Sequence, residues 1–127
     1  MSEIERIITE NAPSPGPYSH AVKYGGLVFV SGQTPEDAAT GKPVRGTMAE
    51  QTEVVLTNIK AILEAAGSSL EKVLKVNIYL SDISKKAEMN EVYKKFFPHN
   101  PPARIGMGGL QLDDGLDIEI DVIAAAD

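Results

Sequence analysis

Arg104 and Glu119 are the two residues of this sequence best placed to do chemistry, because each sits in a C-terminal stretch that alternates with a period of two. Across 103–110, Ala103, Ile105 and Met107 share one parity and are expected to face a core, while Arg104, Gly106 and Gly108 share the other. Across 117–125, Ile118, Ile120 and Val122 mark the side that meets helices, which leaves Glu119 and Asp121 opposite. These parities predict that Arg104 and Glu119 project from one surface, turned away from the helices and partly desolvated. The plain reading of such a pair is an ion pair at an interface. Gly106, Gly108 and Gly109 add a second reading, since glycines beside an arginine leave room for a ligand to approach the backbone, although strand glycines equally mark bulges. A guanidinium presents two parallel donors that match a carboxylate. The occupant predicted is therefore a small acid.

The elements that must position these residues read as three strands, a helix, a strand, a helix and two strands. A short strand over 4–9 leads into a loop with three prolines and a glycine, 11–17, which delivers Tyr18. The segments 21–24 and 27–31 flank Gly25-Gly26, a tight hairpin signal. Thr47-x-x-Glu50 is a capping box that opens a helix running to Gly67, with Val55, Ile59, Ile62, Leu63 and Ala66 on its apolar stripe. The strand 73–80 alternates, and Leu74, Val76, Ile78 and Leu80 are expected on its core face. A second helix, capped by Asp82 or Ser84, buries Met89, Val92, Tyr93, Phe96 and Phe97 and stops before Pro98.

Two helices cover one face of a six-stranded sheet, so this is an α+β architecture whose other face needs a second explanation. Leu27 and Phe29 alternate with Val28 and Val30, and Ile123 shares the parity of Glu119, so apolar groups appear on both surfaces. Burial of apolar surface is favourable at about 25 cal/mol per Å². The expected cover is another copy of the chain, packed sheet against sheet.

Composition narrows the chemistry. A chain of 127 residues with 43% hydrophobic and 24% charged residues reads as one globular domain over 1–127, with no apolar run long enough to span a bilayer. The acidic start carries no signal or transit pattern, and a cytoplasmic location is expected. The absence of cysteine removes thiolate catalysis and zinc-thiolate sites, and His20 and His99 lie in no metal-ligand spacing, so no metal is expected. A net charge of −6 disfavours nucleic acid as a partner.

The chain resembles the reactive intermediate deaminases, the RidA or YjgF-like family, over nearly its whole length. The resemblance rests on Asn11-Ala12-Pro13 with Gly16-Pro17-Tyr18, on Val30-Ser31-Gly32-Gln33, on the segment 58–67, on Asn90, on Pro102-Ala103-Arg104 and on Ile118-Glu119-Ile120. It implies a chorismate-mutase-like fold, a homotrimer with a central barrel of sheets, and pockets in clefts between subunits. It also implies cofactor-free hydrolysis of enamine and imine acids, such as 2-aminoacrylate, to 2-keto acids and ammonia. Carried over by position, Arg104 would clamp the substrate carboxylate and Glu119 would position or activate water. Tyr18, Ser31 and Asn90 would line the pocket, and the Gly106 backbone would meet the imine nitrogen. The chain departs from the family pattern at Ile105, where a small residue is usual, at Gly106, where RidA members commonly have cysteine, and at Leu110, where a small or basic residue is usual. Ile105 is expected to face the core, and Gly106 to widen the pocket. The alternatives are a non-catalytic metabolite binder and an endoribonuclease, the latter opposed by the acidic balance.

Overall fold

The computed structural model describes residues 3–126. The strands are β1 (Glu5–Ile7), β2 (Ala21–Tyr24), β3 (Leu27–Gln33), β4 (Val73–Leu80), β5 (Ala103–Met107) and β6 (Ile118–Ala125); the helices are α1 (Met48–Ala65) and α2 (Lys86–Phe96). They form one mixed sheet in the order β1-β2-β3-β6-β4-β5, in which only β4 and β5 run parallel.

The β2–β3 hairpin turns on Gly25 and Gly26, whose φ of 59° and 81° are the positive values that a tight turn matched to strand twist requires. Thr47 caps α1 as expected: its hydroxyl accepts from the Glu50 amide at 3.1 Å, and the Glu50 carboxylate accepts from the Thr47 amide at 2.9 Å. The cap of the second helix differs. Asp82 accepts from the Ser84 amide, but this closes a short 3-10 turn over Ile83–Lys85, and α2 starts only after it.

The core lies between the sheet and the helices. Val55, Leu56, Ile59, Ile62 and Leu63 of α1 meet Val28 and Val30 of β3, Val76 and Ile78 of β4, and Ile118, Ile120 and Val122 of β6. From α2, Met89, Val92, Tyr93 and the following Phe97 are buried, with Phe96 only partly so. Of three buried polar side chains on α1, two reach beyond the helix. Asn58 donates to the Glu36 carbonyl, while Gln51 donates to the Gly46 carbonyl and the Asp117 carboxylate. Thr52 merely bonds back to the Met48 carbonyl. The loop 34–46 and the entry to β6 are thereby anchored to the helix, an arrangement that apolar periodicity does not reveal.

Two expectations about side-chain direction are overturned. Leu74, expected in the core, is 49% exposed, because a bulge against Ala124 and Ile123 shifts the alternation of β4 after Val73, which is buried instead. Ile105, also expected in the core, is 51% exposed. In the parallel ladder Arg104 lies beside Val76 and Gly106 beside Ile78, so Arg104 and Gly106 share the helix-facing side. The residues Ile105 and Met107 share the opposite side with Asn77 and Tyr79. That open side also carries exposed Phe29, as the alternation of β3 predicts.

Candidate active site

Glu119 reaches its position through a second bulge. Val30 pairs with Val122 and Gln33 with Ile120, so Ser31 and Gly32 together oppose Asp121 alone. Bulges re-aim side chains, and this one brings Gly32 against Glu119 so closely that a Cβ on Gly32 would overlap the carboxylate. The Ser31 hydroxyl donates to the Ser19 carbonyl at 2.7 Å, and the Ser31 amide donates to the His20 carbonyl at 3.0 Å, which ties the bulge to the segment carrying Tyr18. His20 is a structural residue. It is 1% exposed, its Nδ1 accepts from the Thr9 amide and its Nε2 meets the Pro13 carbonyl at 2.6 Å, so the ring staples the proline-rich loop in place.

Together these segments wall a cleft of about 360 Å³ lined by Pro13, Tyr18, Ser31, Gln33, Asp113 and Glu119. Tyr18 is 53% exposed at its mouth. Burial, followed by the charges of Asp113 and Asp121, pushes the Glu119 carboxyl above the ordinary glutamate range. Glu36 is raised for the same first reason, burial, reinforced by Asp114. On the same side of the sheet, Asp121 accepts from Asn77 at 2.7 Å and from the Tyr79 hydroxyl at 2.9 Å. A carboxylate that is partly desolvated and faced by other carboxylates is a stronger base than a free one, which suits it to take a proton from water.

Arg104 does not join this cleft. The expectation that Arg104 and Glu119 leave one surface of the chain is overturned: they stand on opposite faces of the sheet. Arg104 is level with Val76 and Val122, and Glu119 lies three positions along β6 and two strands across, a separation of about 10 Å in each direction before the faces are counted. Alternation along β5 fixes which residues share a side, and apolar character would put Ala103, Ile105 and Met107 toward the core. At this edge strand the apolar residues face outward instead, and the connection through α2 places the arginine under that helix.

There the guanidinium donates to the Asn90 side-chain carbonyl at 2.7 Å and lies over the Tyr93 ring, 4.7 Å from its centroid. Asn90, Tyr93, Phe97, Pro101, Pro102 and Arg104 line a second cavity of about 310 Å³. Gly106 lies on the same face one alternation further along, and a Cβ there would meet only Ile78 at an ordinary 4.0 Å. The six residues read from the sequence therefore divide into two sets: Tyr18, Ser31 and Glu119 in one cavity, Asn90, Arg104 and Gly106 on the face of the other. Tyr93 and Gly32 were not singled out as site residues. The first falls on the apolar stripe of the second helix, although its spacing of three from Asn90 puts both on one helix face. The second was visible only as part of a motif.

Comparison with known proteins shows the family and the fold. The family described as Endoribonuclease L-PSP matches residues 9–126. A RutC family protein of Pyrococcus horikoshii is 51% identical over 121 residues, covering 94% of this chain and 96% of that one. The structure of RidA from an Antarctic Psychrobacter superposes with a TM-score of 0.91 at 41% identity, over 95% of this chain and 98% of that one. The structure of Escherichia coli TdcF with bound serine does so with a TM-score of 0.90 at 35% identity, over 97% and 99%.

Proposed function

For a chain that belongs to the L-PSP family, together with the Rid and RutC proteins, we propose hydrolytic deamination of 2-imino and 2-enamino acids to 2-keto acids and ammonia. The active site in this reading is completed by a neighbouring copy in a homotrimer. The observation that carries the reading is the division of the site. One cavity holds a desolvated carboxylate with no cation among its lining residues, and the other holds a guanidinium with no carboxylate among its own. Each half lacks what the other supplies. The exposed apolar side chains Phe29, Ile105 and Met107 on the open face are the surface on which a second copy would pack.

In this assembly Arg104 takes the carboxylate of the substrate, with Asn90 holding one nitrogen of the guanidinium and leaving the rest for a forked contact. Serine, the ligand in the TdcF structure, carries the same carboxylate. Glu119 of the adjacent copy accepts a proton from water as its oxygen attacks C2. Glu119 returns that proton to the imine nitrogen and then relays the hydroxyl proton of the resulting carbinolamine to the same nitrogen, the carbon–nitrogen bond breaks, and ammonia leaves a carbonyl behind. An enamine enters by tautomerising to the imine. The electrophile is already activated, so orientation and one positioned water supply much of the acceleration. Neither a metal nor a nucleotide is required.

Ribonuclease action, the other reading carried by the family description, is opposed by a net charge of −6 and by the acidic lining of the Glu119 cleft, both of which repel a phosphate backbone. The test of the deaminase reading couples the purified protein to a dehydratase that releases 2-aminoacrylate. Keto acid and ammonia formation should accelerate, and Arg104→Ala should abolish the acceleration. An unchanged rate in that variant would remove the carboxylate clamp.

A further inference from the structure

The reading of Arg104 as a carboxylate clamp leaves open what aims a side chain with so many rotatable bonds. An arginine free to sample its rotamers loses much of the benefit of a forked contact, so a clamp needs something to hold the guanidinium plane. Asn90 supplies one hydrogen bond. A single hydrogen bond fixes a distance but not a plane. The other neighbour is Tyr93, whose ring centroid lies 4.7 Å from the Arg104 guanidinium carbon and which is only 6% exposed.

We propose that Tyr93 is the positioning residue for Arg104, its ring face holding the guanidinium in the orientation that accepts a ligand carboxylate. Asn90 and Tyr93 lie three positions apart on α2 and so present an amide and a ring to the same point. The ring is itself braced from behind: Phe97, one turn further on, packs against it with centroids 4.7 Å apart and planes inclined by 34°. What Tyr93 offers Arg104 is its electron-rich face, which attracts a cation and does so more strongly when both are shielded from water. This inference rests on the proposed deaminase reading for its consequence, and on the geometry of α2 and β5 for its cause.

The experiment has a part that needs no ligand. A guanidinium stacked on a ring carries a ring-current shift, so the Arg104 side-chain NH resonances of the full-length protein should be displaced in wild type and in Tyr93→Phe, and return to ordinary positions in Tyr93→Leu. In turnover of an imino acid, Tyr93→Leu should raise KM about tenfold with kcat little changed, while Tyr93→Phe stays within about twofold of wild type. Trifluorination of the phenylalanine ring at position 93 keeps the shape and drains the ring face of negative charge. This variant covers the case in which Tyr93→Leu folds poorly, and its KM should rise as well. In an Arg104→Ala background, Tyr93→Leu should leave the Kd for 2-oxobutyrate where Arg104→Ala alone puts it. Undisplaced Arg104 resonances in wild type, or a KM indifferent to fluorination in active enzyme, overturns the proposal. Displaced resonances that collapse in Tyr93→Leu, in a protein that turns over no imino acid, uphold the positioning of Arg104 and refute the deaminase reading.

Discussion

Gly32→Ala separates the proposed role of Glu119 from the stability of the fold. Gly32 sits in the β3 bulge and is not among the glycines with positive φ, so its backbone accepts an L-residue without strain. The added methyl would lie 3.2 Å from Cδ and 3.5 Å from Cγ of Glu119 and would overlap Oε2; no other side chain is among its nearest contacts. The whole cost therefore falls on one flexible carboxylate, which must rotate away. Displacing a side chain by such a torsion costs about 0.5–1.5 kcal/mol. The variant should thus unfold in urea within about 1.5 kcal/mol of wild type. Activity should fare much worse. A positioned general base contributes about 10²–10⁴-fold, so removal of Glu119 from the cleft should lower the deamination rate by about 100-fold or more, as Glu119→Gln should, and the double variant should lose no more than either single one. The assay is dehydratase-coupled keto acid release beside urea denaturation of the same preparations. A Gly32→Ala protein that keeps its rate within about threefold of wild type, against that 100-fold expectation, would show that Glu119 does not act from this position.

Glu119→Gln also carries a pH signature in stability. Because burial and the nearby Asp113 and Asp121 raise the folded-state pKa of Glu119 above its unfolded value, its contribution to stability is fully present below the unfolded pKa and is lost as pH rises through the folded one. Urea titrations from acid to neutral pH should therefore find wild type losing stability relative to Glu119→Gln across that window, and a pH-independent difference would refute the assignment of burial as the cause. Ile105→Asp tests the assembly. Ile105 is 51% exposed in the single chain, so the substitution should scarcely alter a monomer. If the open face packs on another copy as proposed, sedimentation should show a trimer for wild type and smaller species for the variant, whereas the same assembly in both would mean that this face is not the interface.

The elements themselves were legible because their signals are local. The Gly25-Gly26 turn, the Thr47–Glu50 capping box, the apolar stripe of α1 and the alternation of β6 each depend on neighbours within a few residues, and each appears where the sequence places it. The chemical types of the site were equally readable, since Arg104, Glu119, Tyr18, Ser31 and Asn90 all line cavities in the folded chain. What the sequence could not decide was which cavity each one enters.

That choice belongs to tertiary structure for a definite reason. Alternation along a strand tells which residues share a side, but the identity of each side comes from the neighbouring strand. For β5 that neighbour is β4, whose parallel register puts Arg104 beside Val76 and under α2. Reading apolar as inward holds where there is one core to face, as along β6, where Ile118, Ile120 and Val122 are all buried. It fails at an edge strand whose apolar residues, Ile105 and Met107, turn to the open face of the sheet. Two bulges act in the same way: a single extra residue exposes Leu74 in β4 and, in β3, sets Gly32 against Glu119. Composition and local pattern determined the parts and their chemistry, and strand register alone decided that the cation and the carboxylate stand back to back.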